Sequence, residues 1–462
     1  MPTRLPNTAL AALLRESDWT NREFVSAINR IGIELGIRLR YDETAVSHWL
    51  HDGTVPRVKA HLAICEALAR RLGRPITVTQ AGIGTVPAVA ATSGDTVSGL
   101  IELGSSDMDP SRRALIGGTA GLFSAALPIP GYDDLADRFD TFTINPRMRI
   151  GRADVTAVTT VTAELIAMDD QFGGRHARPM AAAFLVNTIA PYLQADAAPD
   201  VARSMLSAAA DHAYLTGWMA MDEREDGIAQ SYFVKALELA GGAEDQLRYS
   251  RVLRGMSVHA IDLGHTGLAV RTANAAAGAL PKADPRFEAF LAGQQAHVAA
   301  ASDDKAGALT SIRRAEAAVA RAEDEGDTFG SYTPSALRYH ISEVRAHLGD
   351  LDGSIREMER AQRTRAPALR RTRVRYSALL AERKLRVGRL EEACRSWHAM
   401  LDDYPYVQSG RCDDRFTAMM SALRPHRNNT HARLVLDRAR EVRGKLPPRP
   451  TRLTAAREHR TR

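Results

Sequence analysis

The side chains of this 462-residue chain that could do chemistry fall into two sets, and neither is catalytic. No GxxxxGK[ST] phosphate loop, GxGxxG turn, HExxH, Cys-x-x-Cys or G-x-S-x-G elbow occurs. Acidic pairs such as Asp169-Asp170, Asp303-Asp304 and Asp413-Asp414 fall in expected loops, where capping and solvation account for them. The expectation is no enzyme, no cofactor and no metal; His48 and His51 alone are too weak a signal for a ligand pair. The first set is Glu43, Thr44, Ser47 and His48, short polar side chains able to reach base edges, flanked by Arg38, Arg40, Arg57 and Lys59, cations suited to phosphates. The second is Tyr214, Trp218, Arg251, Arg254, His297, Tyr339, Glu343 and Arg375. Arginines there would clamp a carboxylate bidentately while the aromatics pack apolar groups; the bland alternative pairs these polar groups with each other, Arg with Glu343 for instance.

Four or five short helices must carry the first set. Residues 8–15 and 21–35 read as amphipathic helices, the second capped by Thr20 or Asn21. Asp42 caps a third that ends before Gly53, and residues 57–72 form a fourth. In the third, Ala45, Val46, Trp49 and Leu50 face the core and the polar set faces out. The run Val46-Ser47-His48-Trp49-Leu50, followed by Gly53 and Pro56, resembles the recognition helix of lambda-repressor-like (XRE-type) helix-turn-helix domains. That resemblance covers residues 7–75 and implies double-stranded DNA as a partner. One departure stands out: "IELGIRLRY" makes the connection into the third helix longer than that family's tight turn.

A repeat must carry the second set. Small residues recur at Gly217/Ala229/Ala236, Ser257/Ala269/Ala276, Ala296/Ala308/Ala315 and Ser342/Ser354/Ala361, and again at Ala381/Ala393 followed by Met400. Arg224, Gly264, Asp303, Gly349 and Gly388 hold the equivalent turn position between the first two members. Small residues let paired helices approach closely, and a left-handed residue closes the first helix. Starts spaced by 40, 39, 46 and 39 residues resemble a tetratricopeptide repeat array with lengthened loops. Its first helices line a concave groove, where the second set belongs.

The fold class expected is therefore all-α: a helix-turn-helix domain over 1–75, a linker over 76–112, helical connector and capping helices over 113–207, a tetratricopeptide-like α-solenoid over 208–445, and a disordered basic tail over 446–462. The net charge is +6, but residues 424–462 alone hold twelve Lys/Arg against three acids, leaving about −3 for the rest. "SRRALIGGTAGLFSAALPIPG" resembles a twin-arginine export signal, yet it follows a folded unit and is too short to span a bilayer, so it reads as a buried helix. Three scattered cysteines suit a reducing compartment. The layout is similar to the one-component, peptide-sensing helix-turn-helix/repeat regulators of bacteria. That resemblance implies cytoplasmic location, no membrane, a homodimer formed through the repeats, and a peptide or small-molecule effector biasing DNA affinity. A scaffold for protein–protein contacts that reads no DNA is the alternative, favoured by the long connection and by a net charge of only +3 over residues 1–75.

Overall fold

The computed structural model describes residues 6–34, 39–72, 76, 78, 80–83, 96–109, 123–124, 129–136, 145–279, 283–322, 332–364 and 368–446. It is all-α apart from one two-stranded sheet, and it divides into two compact units. Among the described residues no helix is long and apolar enough to cross a membrane.

The N-terminal unit holds α1 (Thr8–Ser17), α2 (Asn21–Glu34), α3 (Glu43–His51) and α4 (Val58–Leu72). Their starts follow from short polar side chains. Asn7 accepts from the Leu10 amide, and Thr20 and Glu23 exchange bonds at 2.9 and 3.3 Å in a capping box. Asp42 accepts from the Ala45 amide at 2.8 Å. Their apolar faces meet in one core around Leu10, Phe24, Ile28, Ile31, Val46, Trp49, Ile64 and Leu68. Ile76, Ala81 and Ile83 complete it, so the core runs past residue 75. Trp49 packs edge-on against Tyr41 at 4.9 Å between ring centres. Trp49→Ala is expected to cost this unit about 3–5 kcal/mol, read as a lower urea midpoint for its unfolding transition.

Thr96–Met108 (α5), inside the stretch expected to be a linker, is instead a helix of the second unit. Buried Arg178 ties it down by pairing with Asp107, which also accepts from Tyr232 at 3.2 Å. The Ser111–Gly131 stretch expected to be a buried helix lies largely outside the described residues, as do Arg38, the Lys59 side chain and residues 447–462 of the tail.

The second unit continues with α6 (Tyr132–Ala136), α7 (Arg152–Phe172) and α8 (Gly174–Phe184), which runs through a π turn, Leu185–Ile189, into α9 (Ala190–Leu193). Strands β1 (Asn145–Arg149) and β2 (Ala195–Asp196) pair in parallel. Five consecutive helix pairs follow: α10 (Pro199–Asp222) with α11 (Asp226–Gly242), α12 (Gln246–Asp262) with α13 (Thr266–Ala279), α14 (Pro285–Ala301) with α15 (Lys305–Arg321), α16 (Pro334–His347) with α17 (Leu351–Arg363), and α18 (Arg370–Arg386) with α19 (Leu390–Asp403). Helices α20 (Gly410–Leu423) and α21 (Thr430–Lys445) close the array.

The small residues sit at the seams of these pairs. Ser257 donates to the Ala269 carbonyl at 2.8 Å and Ser342 to the Ser354 carbonyl at 2.6 Å, while a side chain on Gly217 would meet the Ala229 carbonyl at 3.1 Å. Two turns earlier on the first helices, Ser250 and Ser335 donate to the carbonyls of Ala276 and Ala361. Each bond joins backbone to a side chain too short to hold the helices apart. All five turn residues take the left-handed conformation: Arg224, Gly264, Asp303, Gly349 and Gly388 have φ between 62° and 88°.

The array returns on itself. Helix α18 packs on α7, and the Gln408 backbone bonds with Phe172 at 2.7 Å and Arg175 at 3.2 Å. Gly173, at φ 89°, allows this approach, since a Cβ there would lie within 3 Å of the Gln408 backbone. The five pairs thus form a solenoid-like fold whose last helices meet its first.

Candidate functional site

In the N-terminal unit, α3 is anchored by Val46 and Trp49 and turns Glu43, Thr44 and His48 outward. Ser47 is half-buried, and Ala45 and Leu50, expected in the core, are half-buried against it. Arg40 and Arg57, on either side of the helix, are exposed. His48 meets Asp52 at 2.7 Å one turn on, and both side chains are more than half exposed, so the pair orients the ring more than it stabilises the helix. Eight residues separate α2 from α3. This long connection is clasped by Asn29, which donates to the Tyr41 carbonyl at 2.9 Å and accepts from the Tyr41 amide at 3.0 Å.

The second unit carries all of the other set on its first helices, with Tyr214, Arg251 and Glu343 buried and Trp218, Arg254, His297, Tyr339 and Arg375 half-buried. Arg254 lies 4.1 Å from the Phe290 ring centre, and desolvation lowers its pKa despite the surrounding Tyr214, Tyr332, Tyr339 and Tyr376. Tyr339 stacks on Tyr376 at 4.8 Å and stands edge-on to His297 at 6.5 Å. Trp218 is half-buried, 6.3 Å from Tyr214.

Arg251 and Glu343 are already engaged in ion pairs within the chain. Arg251 pairs with Asp211 at 2.9 Å, and Asp211 also holds Arg248 at 2.7 Å. Glu343 pairs with Arg383; burial alone would raise its carboxyl, but that guanidinium overrides it and holds the pKa below the usual range. Arg375 adds to the positive potential around half-buried Asp262, which Arg411 contacts at 2.9 Å and Arg224 at 3.1 Å. These arginines keep Asp262 ionised far below the ordinary carboxylate range although desolvation opposes them. Desolvation and the neighbouring Arg375 push Arg411 down to about 10.

Residues that sequence reading passed over complete the interior. Tyr332, Tyr376 and Arg383 give no periodic signal of their own. His347 does, one helical turn beyond Glu343 on α16.

Comparison with known families singles out the first unit. Its sequence matches the model of the SP15 N-terminal domain. The match spans residues 10–84, in agreement with a core that runs on to Ile83. No curated protein matches the chain.

Proposed function

We propose that the chain is a sequence-specific DNA-binding transcription regulator of the cytoplasm. In this reading the N-terminal unit is a helix-turn-helix domain that presents α3 to the major groove. The single observation carrying it is that α3 is a short helix with a buried apolar face and an exposed polar one: Glu43, Thr44 and His48 face out, and cationic Arg40 and Arg57 flank it. Base contacts would come from that face and phosphate contacts from the arginines. The tetratricopeptide-like repeats would pair two copies and respond to a peptide or small effector. Three buried, free cysteines accord with a reducing compartment. Two acids at the start of α3, Asp42 and Glu43, together with the long connection before it, favour the second reading, a repeat scaffold that reads no DNA.

Selection of genomic fragments across a salt series decides between them. Wild type should enrich one sequence, and Ser47→Ala/His48→Ala should weaken that site by about 1–3 kcal/mol, roughly tenfold or more. Arg57→Ala should instead weaken all sequences alike and reduce the salt slope by about 1. An unselective, salt-sensitive mixture from both proteins would point to the basic tail and leave the scaffold reading in front.

A further inference from the structure

His297, Glu343 and His347 bring two imidazoles and a carboxylate together, each with a ligand atom within 4.8 Å of the others. Glu343 and His347 lie one turn apart on α16, and His297 faces them from α14, the preceding first helix. His297 Nε2 is 3.9 Å from Glu343 Oε2, and the two histidine rings are 5.6 Å apart. Arg383 of α18 takes the other oxygen, Oε1, so it fixes the carboxylate while leaving Oε2 on the histidine side. Glu343 is buried, His297 half-buried and His347 exposed, which leaves the cluster open to solvent at His347.

We propose that these three residues bind a divalent cation of the zinc class, clamping α14 to α16 on the inner side of the array. Two neutral imidazoles and one carboxylate form a three-ligand zinc set that keeps a fourth position for water. Imidazole-rich sites of this type take Zn2+, Co2+, Ni2+ and Cu2+ rather than Mg2+ or Ca2+. Bonds of about 2.0–2.1 Å at tetrahedral angles require ligand atoms about 3.4 Å apart. The exposed His347 ring can turn about its side-chain torsions toward the other two, and His297 Nε2 and Glu343 Oε2, 3.9 Å apart, need only a small further approach. Because Arg383 already neutralises Glu343, the histidines are not needed there as counter-ions. Arg383 acts as a positioning residue: it orients the ligating carboxylate as outer partners of metal ligands do. The site owes nothing to DNA recognition and stands or falls separately from it.

The test uses the full chain, stripped with a chelator and titrated with Zn2+ in competition with a chromogenic chelator. One equivalent should bind tightly. Loss of an outer partner alone costs about 10–100-fold in affinity, so His297→Ala and His347→Ala should each weaken binding at least that much. His48→Ala/His51→Ala, on α3, should bind as wild type does. Because His347 is exposed, its variants keep the fold, which circular dichroism checks. His347→Cys loaded with Co2+ should show a thiolate-to-cobalt charge-transfer band absent from wild type. Equal Zn2+ affinity for wild type and His347→Ala, or no such band in His347→Cys, would overturn the assignment.

Discussion

Arg371→Met is expected to lower the stability of the second unit by about 3–5 kcal/mol, the usual effect of removing one member of a buried ion group. Arg371 stands at the place where the array closes, reaching Asp169 at 2.9 Å, Asp170 at 3.1 Å and Asp222 at 3.3 Å. Asp169 lies in the last turn of α7 and Asp222 ends α10, and both are almost wholly buried. Asp222 also accepts from Ser409 at 2.9 Å and from the Gly174 amide at 3.2 Å, so one guanidinium joins a helix that precedes the array, its first pair and its last. Methionine of similar volume keeps the packing but strands the carboxylates in a low-dielectric interior. Urea unfolding followed by circular dichroism measures the loss. Adding Asp169→Asn and Asp222→Asn to Arg371→Met should recover part of it, because the penalty lies in the uncompensated charge. A single variant as stable as wild type would show that the carboxylates shed their charge at no cost.

Acidification should also destabilise the second unit, through His212. This ring is fully buried between α10 and its neighbours: Nε2–H donates to the Ala181 carbonyl at 2.9 Å, Nδ1 lies 2.9 Å from the Thr162 hydroxyl, and Phe184 packs 5.4 Å away. Among the described residues no carboxylate contacts it to favour a charge, and desolvation pushes its pKa down to about 4 from the ordinary 6.5. The unfolded chain therefore binds a proton between those two values that the folded chain does not. Stability from this group is complete above about pH 6.5, falls as pH drops, and is lost to the extent of about 3 kcal/mol by pH 4. Burial lowers His340 as well, so it works in the same direction. Against a total of about 5–15 kcal/mol for a typical domain, this is a large share. Urea midpoints at pH 7, 5.5 and 4.5 would measure it. His212→Phe should flatten the slope by up to about 1.4 kcal/mol per pH unit, whatever it costs at pH 7. A midpoint that does not move between pH 6.5 and 5 would contradict the assignment of a neutral, buried His212.

Much of the fold was written in short-range pattern. The N-caps at Thr20 and Asp42, the helices that follow them, and the recurrence of small residues every forty positions or so all depend on neighbours within one helix pair. A seam such as Ser342 against Ser354 is twelve residues apart in sequence, and the left-handed turn at Gly349 lies between them. Local sterics and hydrogen bonding decide such features, so reading the residues in order is enough to find them. The outward polar face of α3 was legible for the same reason: Val46 and Trp49 mark the side that must be buried.

What only the tertiary structure decided is where the ends of the array go and which charges they carry inward. The curvature that brings Gln408 to Phe172, and Arg371 to Asp169, accumulates over several helix pairs, and no single pair encodes it. Arg251 and Glu343 looked available for a ligand because Asp211 and Arg383 sit forty residues away on neighbouring first helices. The same stacking sets His297 beside Glu343 and His347, and packs Thr96–Met108 against α8 and α11. Periodicity specifies which face of a helix is buried. The partner a buried charge finds there depends on how successive pairs rotate against one another, and that is a property of the packed solenoid alone.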